Sequence, residues 1–184
     1  MTSIYNRSLH RRSGDVSLSL FALLFAETVA YSQKHVKGVN ELEERLNSLG
    51  YSVGYRMSEL VMLREGKNGV RSIEILELMR DVHQNLWKAL YGRSAHSLEK
   101  SRSEEDEYMI IDNNPIELTF ISVPKDISQL SCAAFTAGIV EAALDGAQFP
   151  ARVTAHSSGT DQFPQRTIYL VKFEPQVVER EASK

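Results

Sequence analysis

Cysteine occurs once in the 184 residues, at Cys132. An intrachain disulfide is therefore excluded, and this usage fits a reducing compartment such as the cytosol. Charge of either sign is also in short supply: 21 basic against 24 acidic residues leave a net charge of -3. That is too small and of the wrong sign for a basic field that would hold nucleic acid. No long apolar run is present. The nearest is Leu20 to Ala26, seven residues, far short of the roughly 18 needed to cross a bilayer. A short basic stretch (His10, Arg11, Arg12) precedes it, as in a signal peptide, but Glu27 interrupts the run and no small-residue cleavage site follows. There is no internal repeat and no low-complexity segment. One domain is the expectation at this length, large enough to bury about 70% of the surface of the unfolded chain without a metal or disulfide.

What is present begins with a basic, aperiodic stretch over residues 1–15, read as a flexible arm. Asp15 is a candidate N-cap, because its carboxylate can accept unpaired backbone N–H groups and favours the helix dipole. The helix it would open, Val16 to Tyr31, has Leu18, Phe21, Ala22, Phe25 and Val29 on one face at i, i+3, i+4 spacing. Leu20, Leu23 and Leu24 point elsewhere, so the helix is apolar around most of its circumference and needs cover on most of it. A second helix from Val39 carries Leu42, Leu46, Leu49, Val53, Met57 and Leu60 as one stripe. Gly50 and Gly54 interrupt it, each costing about 1 kcal/mol relative to Ala in a helix interior, which points to close approach by a neighbour or a kink. Gly66 to Gly69 is a turn. A third helix, Ile73 to Leu90 with Ser72 as cap, presents Leu76, Met79, Val82 or His83, Leu86, Trp87 and Leu90, and Tyr91-Gly92 closes it.

The second half changes character. Ser97 to Arg102 and Tyr108 to Asp112 read as strands around an acidic turn, and Asn113-Asn114-Pro115 breaks the second. Ile116 to Val123 fits either an extended segment or a short helical turn. Leu130 to Ala143 is a helix of small residues suited to lying closely on a sheet. Ala151 to His156 and Arg166 to Phe173 are strands. The domain is expected over residues 16–175, with a polar tail over 176–184. Helices first, then strand, strand, helix, strand, strand, give an α+β domain in which a small antiparallel sheet is covered by helices.

Chemistry is hard to find. Cys132 and His156 form the one Cys–His pair of interest, and their spacing does not enforce the contact a thiolate nucleophile requires. A buried, structural Cys132 is the simpler reading. The histidines show no HxxxH or HxH spacing and suggest no metal site. Glu104 to Glu107 lacks the alternation and glycine of a calcium loop, and Gly66 to Gly69 lacks the Lys-Ser/Thr of a phosphate loop. No cofactor is implied. The unexplained feature is excess apolar surface on the first two helices, the mark of a protein interface.

Leu49-Gly50-Tyr51-Ser52-Val53-Gly54-Tyr55-Arg56, followed by Glu59-Leu60, resembles the signature of the Bet-three family of small TRAPP (transport protein particle) subunits. Tyr108 to Pro115, Phe120 to Asp126, Cys132 to Ala142 and Phe149 to His156 extend the resemblance over about residues 16–175. It implies a twisted antiparallel sheet of about four strands packed against four to five helices. It also implies pairing with another TRAPP subunit of the same family through the first two helices, with Leu18, Phe21, Ala22, Phe25, Val29, Leu42, Leu46, Leu49 and Val53 as candidate partner interface. The complex it implies tethers endoplasmic-reticulum-derived vesicles at the Golgi and acts as guanine-nucleotide exchange factor for a Rab-type GTPase. The subunit would itself be non-catalytic, cytoplasmic, and peripheral at Golgi and endoplasmic reticulum membranes. In the family's namesake an acylated cysteine falls in the segment corresponding to Gly66 to Val70. No cysteine stands there, so acylation is not carried over, and an acyl-chain or small-molecule binding module is the alternative.

Overall fold

A computed structural model describes residues 16–64, 73–102, 104, 106–123 and 130–183. The arm with Asp15, the Gly66 to Gly69 turn and Ser72 lie outside the described residues. The chain runs α1 (Leu18–Gln33), α2 (Val39–Arg64), α3 (Ile75–Asp81), a π-helical turn (Val82–Leu86), α4 (Trp87–Tyr91), β1 (Ser97–Lys100) and β2 (Glu107–Asp112). A 3₁₀ turn (Ile116–Leu118), α5 (Ala134–Gly146), β3 (Ala151–Ser157), β4 (Thr167–Phe173) and α6 (Pro175–Ala182) follow. All neighbouring strands are antiparallel, in the order β1-β2-β4-β3. This is the α+β arrangement the element order implies.

Local chemistry accounts for most of the boundaries, with four differences from the sequence reading. The cap of α1 is Ser17, whose hydroxyl accepts the N–H of Leu20, and the helix continues beyond Tyr31 to Gln33. The expected third helix is broken by one wide turn. In a π-turn the hydrogen bonds span five residues, so one residue is inserted and the inward face rotates. Val82, Leu86 and Trp87 are all buried as a result, joining Ile75, Leu78 and Met79, while Leu76 faces solvent. The segment after Asn114 becomes a single 3₁₀ turn. The expected polar tail is instead a helix opened by Pro175, a residue pre-set for the first helical position. It buries Val177 and lays the Arg180 guanidinium 4.3 Å from the centre of the Phe149 ring.

Two apolar clusters hold the domain. The larger one packs the inner side of the sheet (Ile110, Val153, Tyr169, Val171, Phe173) against Met79, Leu86 and Trp87 and against Ile139, Val140 and Leu144 of α5. The smaller gathers Phe25, Leu42, Leu46, Cys132 and Ala134 where α1, α2 and the start of α5 meet. Between α2 and α5 the contact is backbone on backbone. A methyl group added at Gly50 would meet the carbonyl of Phe135, one at Gly54 would lie 2.7 Å from the Cα of Ile139, and one at Gly138 would lie 2.9 Å from the backbone nitrogen of Tyr51. The glycines are the surface along which the two helices touch, so the buried ridge of α2 runs through Leu42, Leu46, Asn47, Gly50 and Gly54. The leucine stripe read from the sequence leaves this ridge at Leu49 and Val53, which are exposed.

Candidate functional site: an apolar helical surface

Side chains with catalytic potential are either buried or already engaged. Cys132 is 1% exposed, and burial, with Glu43 and Glu117 nearby, pushes its thiol up to about 11. A reactive thiol needs the opposite shift. His156 hydrogen-bonds Thr154 across 2.8 Å. No cluster of three or more His, Cys, Asp or Glu among the described residues could hold a metal, and among them no helix is long and apolar enough to cross a membrane.

The polar groups inside the fold serve the scaffold. Trp87 Nε1 donates to Asp112 Oδ2 at 3.0 Å. The Arg93 guanidinium donates to both Asp112 oxygens at 2.7 and 2.9 Å and to the carbonyl of Asn114 at 2.6 Å. Asp112 is 1% exposed and would be costly to bury without these partners. A second chain of hydrogen bonds starts at the Tyr91 hydroxyl, passes through Thr136 Oγ1 and ends at Glu117 Oε1, which also accepts from Tyr169 at 2.8 Å. Glu117 is fully enclosed, and desolvation raises its pKa against the opposing effect of these hydroxyl donors. The two groups tie α4, β2, the 3₁₀ turn, α5 and β4 together. Sequence reading missed both: Asp112 and Glu117 stand in short polar-apolar stretches whose only sequence signal is a strand break.

The surface of α1 is different. Its inward residue is Phe25, stacked on Phe21 at 5.9 Å and tilted against Phe135 at 5.3 Å. Its outward residues are Val16, Leu20, Leu23, Leu24 and Tyr31, with Leu23 and Leu24 exposed to 72% and 66%. On α2, Leu49, Val53, Tyr55, Met62 and Leu63 are also exposed. Covering a Leu-sized side chain contributes about 1.5–3 kcal/mol, so this is a large amount of unused apolar surface on two adjacent helices.

The nine residues expected to meet a partner divide three ways. Leu18, Leu49 and Val53 are exposed. Phe21, Ala22 and Val29 are half-buried, with Phe21 and Val29 packed against the smaller cluster. Phe25, Leu42 and Leu46 are buried in the chain's own core at 4%, 4% and 0%, which corrects their assignment to a partner. The i, i+3, i+4 pattern identified the face of α1 that turns to its own domain. The apolar residues off that pattern face outward, and they were the signal for an interface.

A family model for transport protein particle (TRAPP) components matches residues 21–174, and the chain belongs to that family. Its relatives there share a single name. A protein of Dictyostelium discoideum is 47% identical, the match covering 98% of this chain and 97% of the relative. One of Homo sapiens is 42% identical, covering 98% and 92%. Both are trafficking protein particle complex subunit 5. Among solved structures, a trafficking protein particle complex subunit 3 from Naegleria fowleri, covalently bound to palmitic acid, superposes with a TM-score of 0.69. The likeness covers 85% of this chain and 95% of that one at 20% sequence identity, and so bears on the fold alone.

Proposed function

We propose that this chain is a non-catalytic assembly subunit of a TRAPP complex, and that it pairs with a second subunit of the same family through the outer surface of α1 and α2. The observation that carries the reading is the outward apolar row Leu20, Leu23 and Leu24 on a chain whose catalytic candidates are buried or engaged. Leu18, Leu49 and Val53 extend the row, and Phe21, Ala22 and Val29 border it. The complex acts in endoplasmic reticulum-to-Golgi vesicle transport as a tether and as a guanine-nucleotide exchange factor for a Rab-type GTPase. This subunit supplies structure to that activity and no reacting group. Its place is cytoplasmic, peripheral at Golgi and endoplasmic reticulum membranes.

The test is co-expression with family partners. The wild-type chain should self-associate alone and form a stable heteromer with a family subunit. Leu23→Asp with Leu24→Asp should abolish that heteromer while leaving the thermal transition of the isolated chain unchanged, because both side chains are exposed in the domain. Leu46→Asp is not a test of pairing, since it places a charge in the chain's own core. A wild-type chain that is a stable monomer, with no gain from any family partner, would sink the proposal. Intact mass spectrometry of the native protein decides the acyl-chain alternative, which a co-purifying lipid would support.

A further inference from the structure

At the end of the sheet away from α1 and α2 lies an open cavity of about 710 Å³. His96, Ser97, Ile111 and Asn113 line one side, and the loop from Thr160 to Phe163 with Arg166 lines the other. Arg166 is half-buried. Its Nε is shielded from solvent and has no hydrogen-bond partner among the described residues. A guanidinium is always charged and carries five donors in a planar fork, and burying one of those donors unpaired is costly. The neighbouring guanidinium, by contrast, is fully used: Arg93 holds Asp112 and the Asn114 carbonyl.

The loop that positions Arg166 is already ordered. Ser158 N–H donates to the Arg166 carbonyl at 2.8 Å, the Arg166 N–H to the Phe163 carbonyl at 3.1 Å, and Thr160 and Phe163 exchange backbone hydrogen bonds at 3.0 and 3.1 Å. A ligand therefore meets a pre-formed wall and need not order it. The geometry points to a binding site for a carboxylate, supplied by an acidic side chain of a partner protein. The planar fork of one Arg matches the two oxygens of a carboxylate. Ile111 and Phe163 offer apolar walls for the stem of a Glu side chain. A doubly charged phosphate is disfavoured, because Arg166 is the one Lys or Arg in the lining and Asp161 stands on the rim. No residue of α1 or α2 lines the cavity, so this contact is separate from the proposed pairing surface and does not depend on it.

The experiment uses the full chain and two small probes, N-acetyl-glutamate N-methylamide and its neutral isostere N-acetyl-glutamine N-methylamide, titrated while the backbone amide resonances are followed by NMR. The acidic probe should give saturable shifts at Asn113, Thr160, Gln162, Phe163 and Arg166, and bind at least about tenfold more tightly than the neutral one, as for a charge-assisted bidentate pair. Arg166→Gln should abolish the difference. Arg166→Lys, which keeps the charge without the fork, should reduce it and covers the case in which the Gln variant does not fold. Equal shifts from both probes, shifts that survive Arg166→Gln in folded protein, or tighter binding of inorganic phosphate would each overturn the assignment.

Discussion

Gly138→Ala separates two effects of opposite sign. In an exposed helix interior, replacing Gly by Ala is favourable by about 1 kcal/mol. At Gly138 the new methyl carbon would fall inside contact of the Asn47 backbone and 2.9 Å from the nitrogen of Tyr51. Its neighbours are main chain of α2 and cannot turn aside as a flexible side chain would. The two helices must separate by an appreciable fraction of an ångström, and the contact they share is the most extensive between any two elements of the domain. Such overpacking costs typically 1–3 kcal/mol, and more where backbone is in the way. A net loss of about 2 kcal/mol is the expectation after the propensity gain. At 2–4 °C per kcal/mol for a chain of this size, that lowers Tm by about 4–8 °C. Gly146→Ala is the control: no atom lies within 4 Å of the added methyl, and Tm should hold or rise slightly. Differential scanning calorimetry of both variants reads the outcome. If Gly138→Ala raises Tm as the control does, α2 and α5 are not in backbone contact, and the account of Gly50 and Gly54 fails with it.

Three further outcomes follow from the buried groups. Burial raises the pKa of Glu117, so the folded chain holds this proton more tightly than the unfolded one. The stability it contributes is complete below the unfolded pKa and is lost as pH rises through the folded one, by at most about 1.4 kcal/mol per pH unit. Glu117→Gln should therefore gain stability relative to wild type from pH 5 to 8 in urea titrations, and a pH-independent difference would refute the burial argument. Arg93→Gln removes the bidentate partner of buried Asp112 while Trp87 and the Asn114 N–H stay in place. Because Arg93 is partly exposed, a loss of about 2 kcal/mol is expected by denaturant unfolding, and an unchanged midpoint would count against the network. With its thiol pushed up to about 11, Cys132 should react with iodoacetamide at pH 8 about 100-fold more slowly in native protein than in urea; equal rates would show that it is not enclosed.

The sequence by itself determined the element order, the α+β class, the start of α2, the existence of all four strands and the family. These rest on local signals: apolar periodicity, turn residues and motifs that lie along one stretch of chain. It also determined that the first helix carries more apolar surface than one core can use. Only the tertiary structure decided which side of that helix is which. Periodicity reports that two faces exist, and contact with Leu42, Leu46 and Phe135 is what turned Phe25 inward and left Leu23 and Leu24 outside. The same holds for Gly50, Gly54 and Gly138, whose meaning depends on a helix that approaches from about 90 residues away in the chain. Val82, Leu86 and Trp87 share one inner surface because a π-turn resets the register. Glu117 became a buried acid because Thr136 and Tyr169 arrive beside it from α5 and β4. Each of these is a relation between segments distant in sequence, and no pattern confined to one segment encodes it.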